Sequence, residues 1–254
     1  MSLLLSVKLL LCGAALIAGI VDAIAGGGGL ITLPALLAAG VPPHLALGTN
    51  KGQSVFGSGA SLWRYARGGL VDRAQARVTF PLGLVGSLAG ARLVLWISPE
   101  QLKPLVLVLL VAVAVFLTLR RPPAPGTAAV PVARPLLAAG VVALVVGAYD
   151  GFFGPGTGTF LIVAFVALLG RNLAAASADA KVVNFASNLA AVVLFARADV
   201  VLWSVALPMA VAQATGGFIG AHLAIRGGER LVRPVVLVVV LALVAKLLHD
   251  LLVR

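Results

Sequence analysis

The sequence predicts an all-α polytopic integral membrane protein built from two related halves, and three observations carry that prediction. Of its 254 residues, 61% are hydrophobic and 11% charged, whereas soluble domains carry roughly 25% charged residues. Mean hydropathy is +1.12. Apolar stretches at residues 2–24, 78–97, 103–119, 200–223 and 235–248 approach the roughly 20 residues a helix needs to cross hydrocarbon. Finally, the chain matches itself under a shift of about 130 positions. Asp22 and Gly26 to Gly29 fall on Asp150 and Gly154-Pro155-Gly156-Thr157-Gly158, and Lys51, Ser54 and Ser58 fall on Lys181, Asn184 and Asn188. Tandem, pseudo-symmetric repeats of this kind mark transporters whose site lies where the halves meet.

Each half runs in the same order. A long apolar segment ends at Asp22 or Asp150 and enters a glycine-rich break. The first segment has features of a cleavable leader, with Lys8 ahead of an apolar run and Ala23-Ile24-Ala25 at its end. Its counterpart at 135–149 is internal, so a retained helix is expected. Short apolar pieces follow at 30–39 and 159–169. A rise of about 1.5 Å per residue gives them only ~15–17 Å, so they are expected as half-helices. Four successive glycines would cost a continuous helix roughly 1 kcal/mol each, which favours a loop at Gly26 to Gly29 over packing glycines. A polar-studded helix comes next, then a long helix, then a final helix opened by Lys103-Pro104 or Arg233-Pro234. The total is roughly eight to ten membrane segments. The proline-dense stretch 121–133 lacks apolar periodicity and reads as a connector. It joins a first repeat, 1–120, to a second, 134–254, which together make one transport domain.

If the short pieces count as crossings, each half has an odd number and the second is inverted; if they are re-entrant, the halves run parallel. Residues 64–77 carry four arginines and 194–207 only Arg197, whereas 92–103 carry Arg92 and Lys103 and 222–233 carry three arginines. The basic surplus changes loops between halves, as inversion produces under the positive-inside rule, and the connector falls in the cytoplasm. The net charge of +11 is spread over these loops, and a nucleic-acid partner would need a continuous basic patch. Cys12 is the only cysteine, which excludes an intrachain disulfide. His44, His222 and His249 lack metal-ligand spacing, and neither metal nor cofactor is expected. Trp63, Tyr65, Trp96 and Trp203 fall near segment ends, as interfacial aromatics do.

Lys51, Ser54 and Ser58 share one helix face, and Lys181, Asn184 and Asn188 repeat that spacing. A buried ammonium needs an anion, a carboxylate or water; the duller alternative is a lysine that snorkels from a helix end. Two lysines in matching frames, with Thr49, Asn50 and Gln53 beside the first, suit a small oxyanion. Backbone amides at Gly27, Gly28 and Gly29 and at Gly156, Thr157 and Gly158 add donors of the kind that favour negative charge. Asp22 and Asp150 are candidates for capping the half-helices, pairing with Lys51 or Lys181, or relaying a proton. Asp179, beside Lys181, is a further candidate to neutralise that lysine.

These residues carry a resemblance. Asp22 through Leu33 with Gly48-Thr49-Asn50-Lys51, and Gly151 through Phe160 with Lys181, Asn184 and Asn188, resemble the TauE/SafE family of sulfite-exporter-like permeases. The resemblance spans residues 5–250 and implies secondary transport of sulfite, an organosulfonate or a related sulfur-containing anion across the bacterial inner membrane, without enzymatic activity. Expected partners are that anion, the bilayer, a coupling proton or other ion, and a second copy of the chain as a homodimer. Two other classes compete. Phe56-Gly57-Ser58-Gly59 superficially resembles a rhomboid active serine, with His222 as base, yet Phe56 stands where that pattern has glycine. An anion channel differs from a transporter in failing to saturate.

Overall fold

The computed structural model describes residues 4–119 and 133–252. The connector expected at 121–133 thus lies, but for its last residue, outside the described residues. Those residues form nine α-helices: α1 (Leu5–Ala25), α2 (Gly29–Ala38), α3 (Pro43–Arg67), α4 (Arg73–Leu95), α5 (Pro99–Leu119), α6 (Pro135–Phe152), α7 (Thr157–Leu169), α8 (Leu173–Arg197) and α9 (Trp203–Leu252). The half-helices expected after the glycine breaks are α2 and α7. One expectation fails. Where the sequence predicts separate helices at 200–223 and 235–248, α9 runs through both. In the first half Ser98-Pro99 separates α4 from α5; the matching positions, Gly228-Glu229, hold no proline and let a helix continue.

Among the described residues, five helices are long and apolar enough to cross a bilayer: α1, α4, α6, α8 and the Trp203–Gly227 part of α9. Within their apolar windows α8 is 78% buried, against 33% for α1 and α6, which makes α8 the central post. The outer helices turn Leu9, Leu10, Ile17, Val141, Val145 and Val211 outward. Large apolar side chains massed on the outside are a liability in water and the natural lipid face of a membrane bundle. Inside such a bundle helices associate through close backbone approach. A Cβ on Gly19 would strike the α9 backbone at Gln213 and Gly217, and one on Gly216 or Gly220 would strike the Leu16 or Ile20 carbonyl. Gly86 and Gly90 of α4 meet Leu144 and Ala148 of α6 in the same way.

The order of these pairings gives direction. α1 and α9 are parallel, as are α3 and α9, since Gly48 meets Val200, Gly57 meets Gln213 and Gly68 meets Ile225. α4 and α6 are parallel, as are α4 and α8, with Gly83 against Val183 and the Ser87 hydroxyl donating to the Ser187 carbonyl. α3 and α8 are antiparallel. Thr49 near the start of α3 accepts from Leu202 N–H beyond α8 at 3.0 Å. Asp72 beyond α3 donates its N–H to Asp179 near the start of α8 at 2.9 Å. Thus α1, α3 and α9 run one way, and α4, α6 and α8 the other.

The glycine breaks cross at the centre of this bundle. Gly26 ends α1 at φ +79°, a conformation that costs glycine nothing. Its Cα lies against the backbone of Gly158, so neither position has room for a Cβ. The break strands carbonyls at membrane depth, where each unsatisfied one would cost several kcal/mol, and three side chains satisfy them. Tyr65 donates to Ala23 O at 2.8 Å, Ser177 to Ile24 O at 2.9 Å, and Thr159 to Ala25 O at 2.8 Å. These donors come from α3, α8 and α7, so the break is held by three helices at once.

Candidate functional site

A small cavity of about 20 Å³ opens where the breaks cross. Its walls come from α1 and its break (Asp22, Gly26), α3 (Asn50, Lys51, Ser54), α6 and its break (Asp150, Gly154), α8 (Asn184, Asn188) and α9 (Gln213). The N-termini of both half-helices also reach it, through Gly29 of α2 and Thr157 and Gly158 of α7. Backbone N–H groups left free at such ends favour negative charge.

The charges pair crosswise. Lys51 of α3 donates to Asp150 Oδ1 of α6 at 2.6 Å and to Asn188 Oδ1 of α8 at 3.0 Å. Lys181 of α8 donates to Asp22 Oδ2 of α1 at 2.8 Å and to Asn184 Oδ1 at 3.1 Å. Neither lysine snorkels: their side chains are 3% and 0% exposed. The centre therefore holds two ammoniums and two carboxylates and is neutral as it stands. That balance makes their burial tolerable, because removing one partner of a buried pair costs about 3–5 kcal/mol.

The two carboxylates are held differently. Asp150 also accepts from Thr157 Oγ1 at 3.0 Å and from the Ser187 hydroxyl, and its side chain is 4% exposed. Asp22 has Lys181 and one backbone donor, Gly28 N–H at 3.3 Å, and is 18% exposed. Both aspartates thus serve the half-helices and the lysines together, as the sequence allows. Asp179 does not neutralise Lys181. Its carboxylate takes Arg171 at 2.8 Å and the Asp72 N–H, because residues two apart on a helix face different ways.

Of the other candidates, Asn50, Lys51, Ser54, Asn184, Asn188, Gly29, Thr157 and Gly158 line the cavity. Lys181 sits behind Asp22 and Asn184. Thr49 is turned to Leu202, and Gln53 to Asn50 at 3.1 Å. Ser58 donates to the Ser54 carbonyl at 2.7 Å and accepts from Asn188 at 3.4 Å. Gly27, Gly28 and Gly156 shape the breaks without facing the cavity; the Gly28 amide instead caps Asp22. Gln213, Gly26 and Gly154 line it without having been predicted there. Gln213 is fully buried, and its Oε1 has no hydrogen-bond partner among the described residues. His222 accepts from Arg64 and is not hydrogen-bonded to Ser58, so these two do not form a nucleophile–base pair.

A lipid-facing bundle closed around a buried, charge-balanced polar centre defines the class: a multi-pass membrane transporter. The family model described as sulfite exporter TauE/SafE matches residues 11–247, and the chain belongs to that family. A probable membrane transporter protein, ORF9, of a Sinorhizobium species is 38% identical over 93% of this chain and 90% of its own. The probable membrane transporter protein YfcA of Escherichia coli K12 is 38% identical over 93% of this chain and 87% of its own. A probable membrane transporter protein of Haemophilus influenzae is 38% identical over 92% and 91%. No solved structure matches the chain. The protein is a bacterial membrane permease.

Proposed function

We propose that this permease carries a small sulfur-containing oxyanion, sulfite or an organosulfonate, bound in the central cavity and moved by alternating access between two inverted halves. The observation that carries the reading is the buried lysine pair, held crosswise beside two half-helix N-termini. Two ammoniums, carboxamides and glycine-loop amides make a donor-rich site with little apolar surface, which suits an oxyanion rather than an organic cation or a lipid. The resemblance to sulfite exporters narrows the class to sulfur anions.

Support for two equivalent halves comes from the backbone. Left-handed φ values at Gly26, Gly40 and Gly69 recur about 130 residues on at Gly156, Gly170 and Asp199. α3 and α8 are each 25 residues long and oppositely directed. The Leu202–Thr49 and Asp72–Asp179 bonds join matching positions at the two ends of the bundle.

The test is a thermal-shift screen of purified protein against sulfite, sulfate, thiosulfate, sulfoacetate and taurine, followed by calorimetry. A ligand at 100 times its Kd stabilises by about 2.7 kcal/mol. Lys51→Gln alone strands Asp150, so it is paired with Asp150→Asn. The double variant, and the matching Lys181→Gln with Asp22→Asn, should each weaken anion binding by at least about 1.5 kcal/mol, roughly tenfold. Unchanged affinity in both moves the anion away from these helices.

A further inference from the structure

The central charges balance before any anion arrives, and this has a consequence for what travels with it. Lys51 and Lys181 are answered by Asp150 and Asp22, and the cavity walls carry no other charged side chain among the described residues. An anion added to this neutral, buried centre would leave one unbalanced negative charge, which is costly at membrane depth. From this balance, resting on the anion reading above, we infer that one proton is taken up with each monovalent anion, and that Asp22 receives it.

Asp22 is the acceptor for geometric reasons. Its carboxylate lines the cavity, is the more exposed of the two, and has only Lys181 and the Gly28 amide as donors. Asp150, 4% exposed, is already enclosed by three donors, Lys51, Thr157 and Ser187. The groups facing Asp22 are few. Lys181 approaches from α8, Tyr65 stands near on α3, and Lys51 of α3 and Asp150 of α6 share its cavity. Among the described residues, the first break, α7 and α9 bring only uncharged groups: the Gly28 amide, Thr157 and Gln213. On protonation Asp22 becomes a neutral carboxyl and Lys181 keeps its charge. The ammonium is then free to turn from Asp22 toward the anion. Before the event the centre holds two positive and two negative charges. Afterwards it holds two positive charges, Asp150 and the anion, and is neutral again.

Calorimetry in buffers of different ionisation enthalpy counts the protons bound with each anion. Methanesulfonate and isethionate stay ionised near neutral pH, so any proton counted belongs to the protein; sulfite is measured alongside with its own protonation subtracted. The expected result is one proton per anion, with affinity falling as pH rises, by up to about tenfold per pH unit. Asp22→Asn should bind the anion with no proton and no pH dependence. Ser187→Ala, which removes a donor from Asp150 alone, should leave the pH profile where it is. Anion binding with no proton in the native protein overturns the inference, as does binding that requires Na+ instead. Uptake that persists in Asp22→Asn overturns it too. A Ser187→Ala profile displaced to higher pH hands the proton to Asp150. If Asp22→Asn does not fold, the native proton count and the Ser187→Ala profile still decide. Failure of every anion to bind sinks the anion site itself, a different result from binding without a proton.

Discussion

Gln213 shows what matched positions hide. The lysines and aspartates of the centre are legible in the sequence because each recurs in the other half at the same spacing. Gln213 has Gly83 as its counterpart, so a search for paired polar residues passes over it. Its Oε1 is buried with no donor among the described residues, a state that costs about 1–3 kcal/mol unless a water or ligand supplies one. Gln213→Leu preserves the volume packed against Gly57 and removes the orphan. It should therefore hold or raise the melting temperature while weakening anion binding at least about fivefold, or about 1 kcal/mol. A lower melting temperature with unchanged affinity would assign Gln213 to packing alone. Asp179 is the opposite lesson. Its closeness to Lys181 in sequence suggests an ion pair that the helix turn forbids, and its true partner, Arg171, lies eight residues back.

At the scale of elements, the half-helices follow directly from a length too short to cross and from glycines that a continuous helix would not carry. What the sequence leaves open is how the two breaks meet. The contact of Gly26 with Gly158 joins residues more than a hundred positions apart, and no local pattern encodes it. The same contact separates two kinds of glycine. A Cβ on Gly158 would overlap Gly26 and crowd Asn184, whereas one on Gly13, exposed on α1, meets nothing. Gly158→Ala should cost transport and lower the melting temperature by several degrees, since backbone on both sides must move. Gly13→Ala should be neutral or stabilising by up to about 1 kcal/mol, through the helix preference of alanine. Equal tolerance at both positions would mean the breaks are not in close contact. The fused α9 has a plain origin as well: the corner that Ser98-Pro99 turns in the first half has no proline at the matching place.

For the whole molecule, the directions of the helices bear on what loop charges alone leave open. Because α1 and α3 run parallel with α2 between them, the short piece returns the chain across the bundle. An odd number of passes in the first half is what the proposed inversion of the second requires. The ends of α3 and of the Trp203–Gly227 part of α9 and the starts of α4, α6 and α8 share one face. That face gathers Arg64, Arg67, Arg73, Arg77, Arg134, Arg171 and Arg226, whereas the opposite face has Lys8, Arg92, Lys103 and Arg197 among the described residues. By the positive-inside rule the first face is expected in the cytoplasm. Ala66 and Ala198 are exposed near matching corners, one at the end of α3 and the other at the end of α8, so they should lie on opposite sides of the membrane. With Cys12 replaced by serine, Ala198→Cys should react with an impermeant maleimide in intact cells. Ala66→Cys should react only after the membrane is opened. Labelling of both from outside would make the halves parallel and remove the inversion on which the proposed alternating access rests. Labelling of Ala66→Cys alone would keep the inversion and reverse the orientation, leaving the central charges as they are and exchanging the faces from which they are reached.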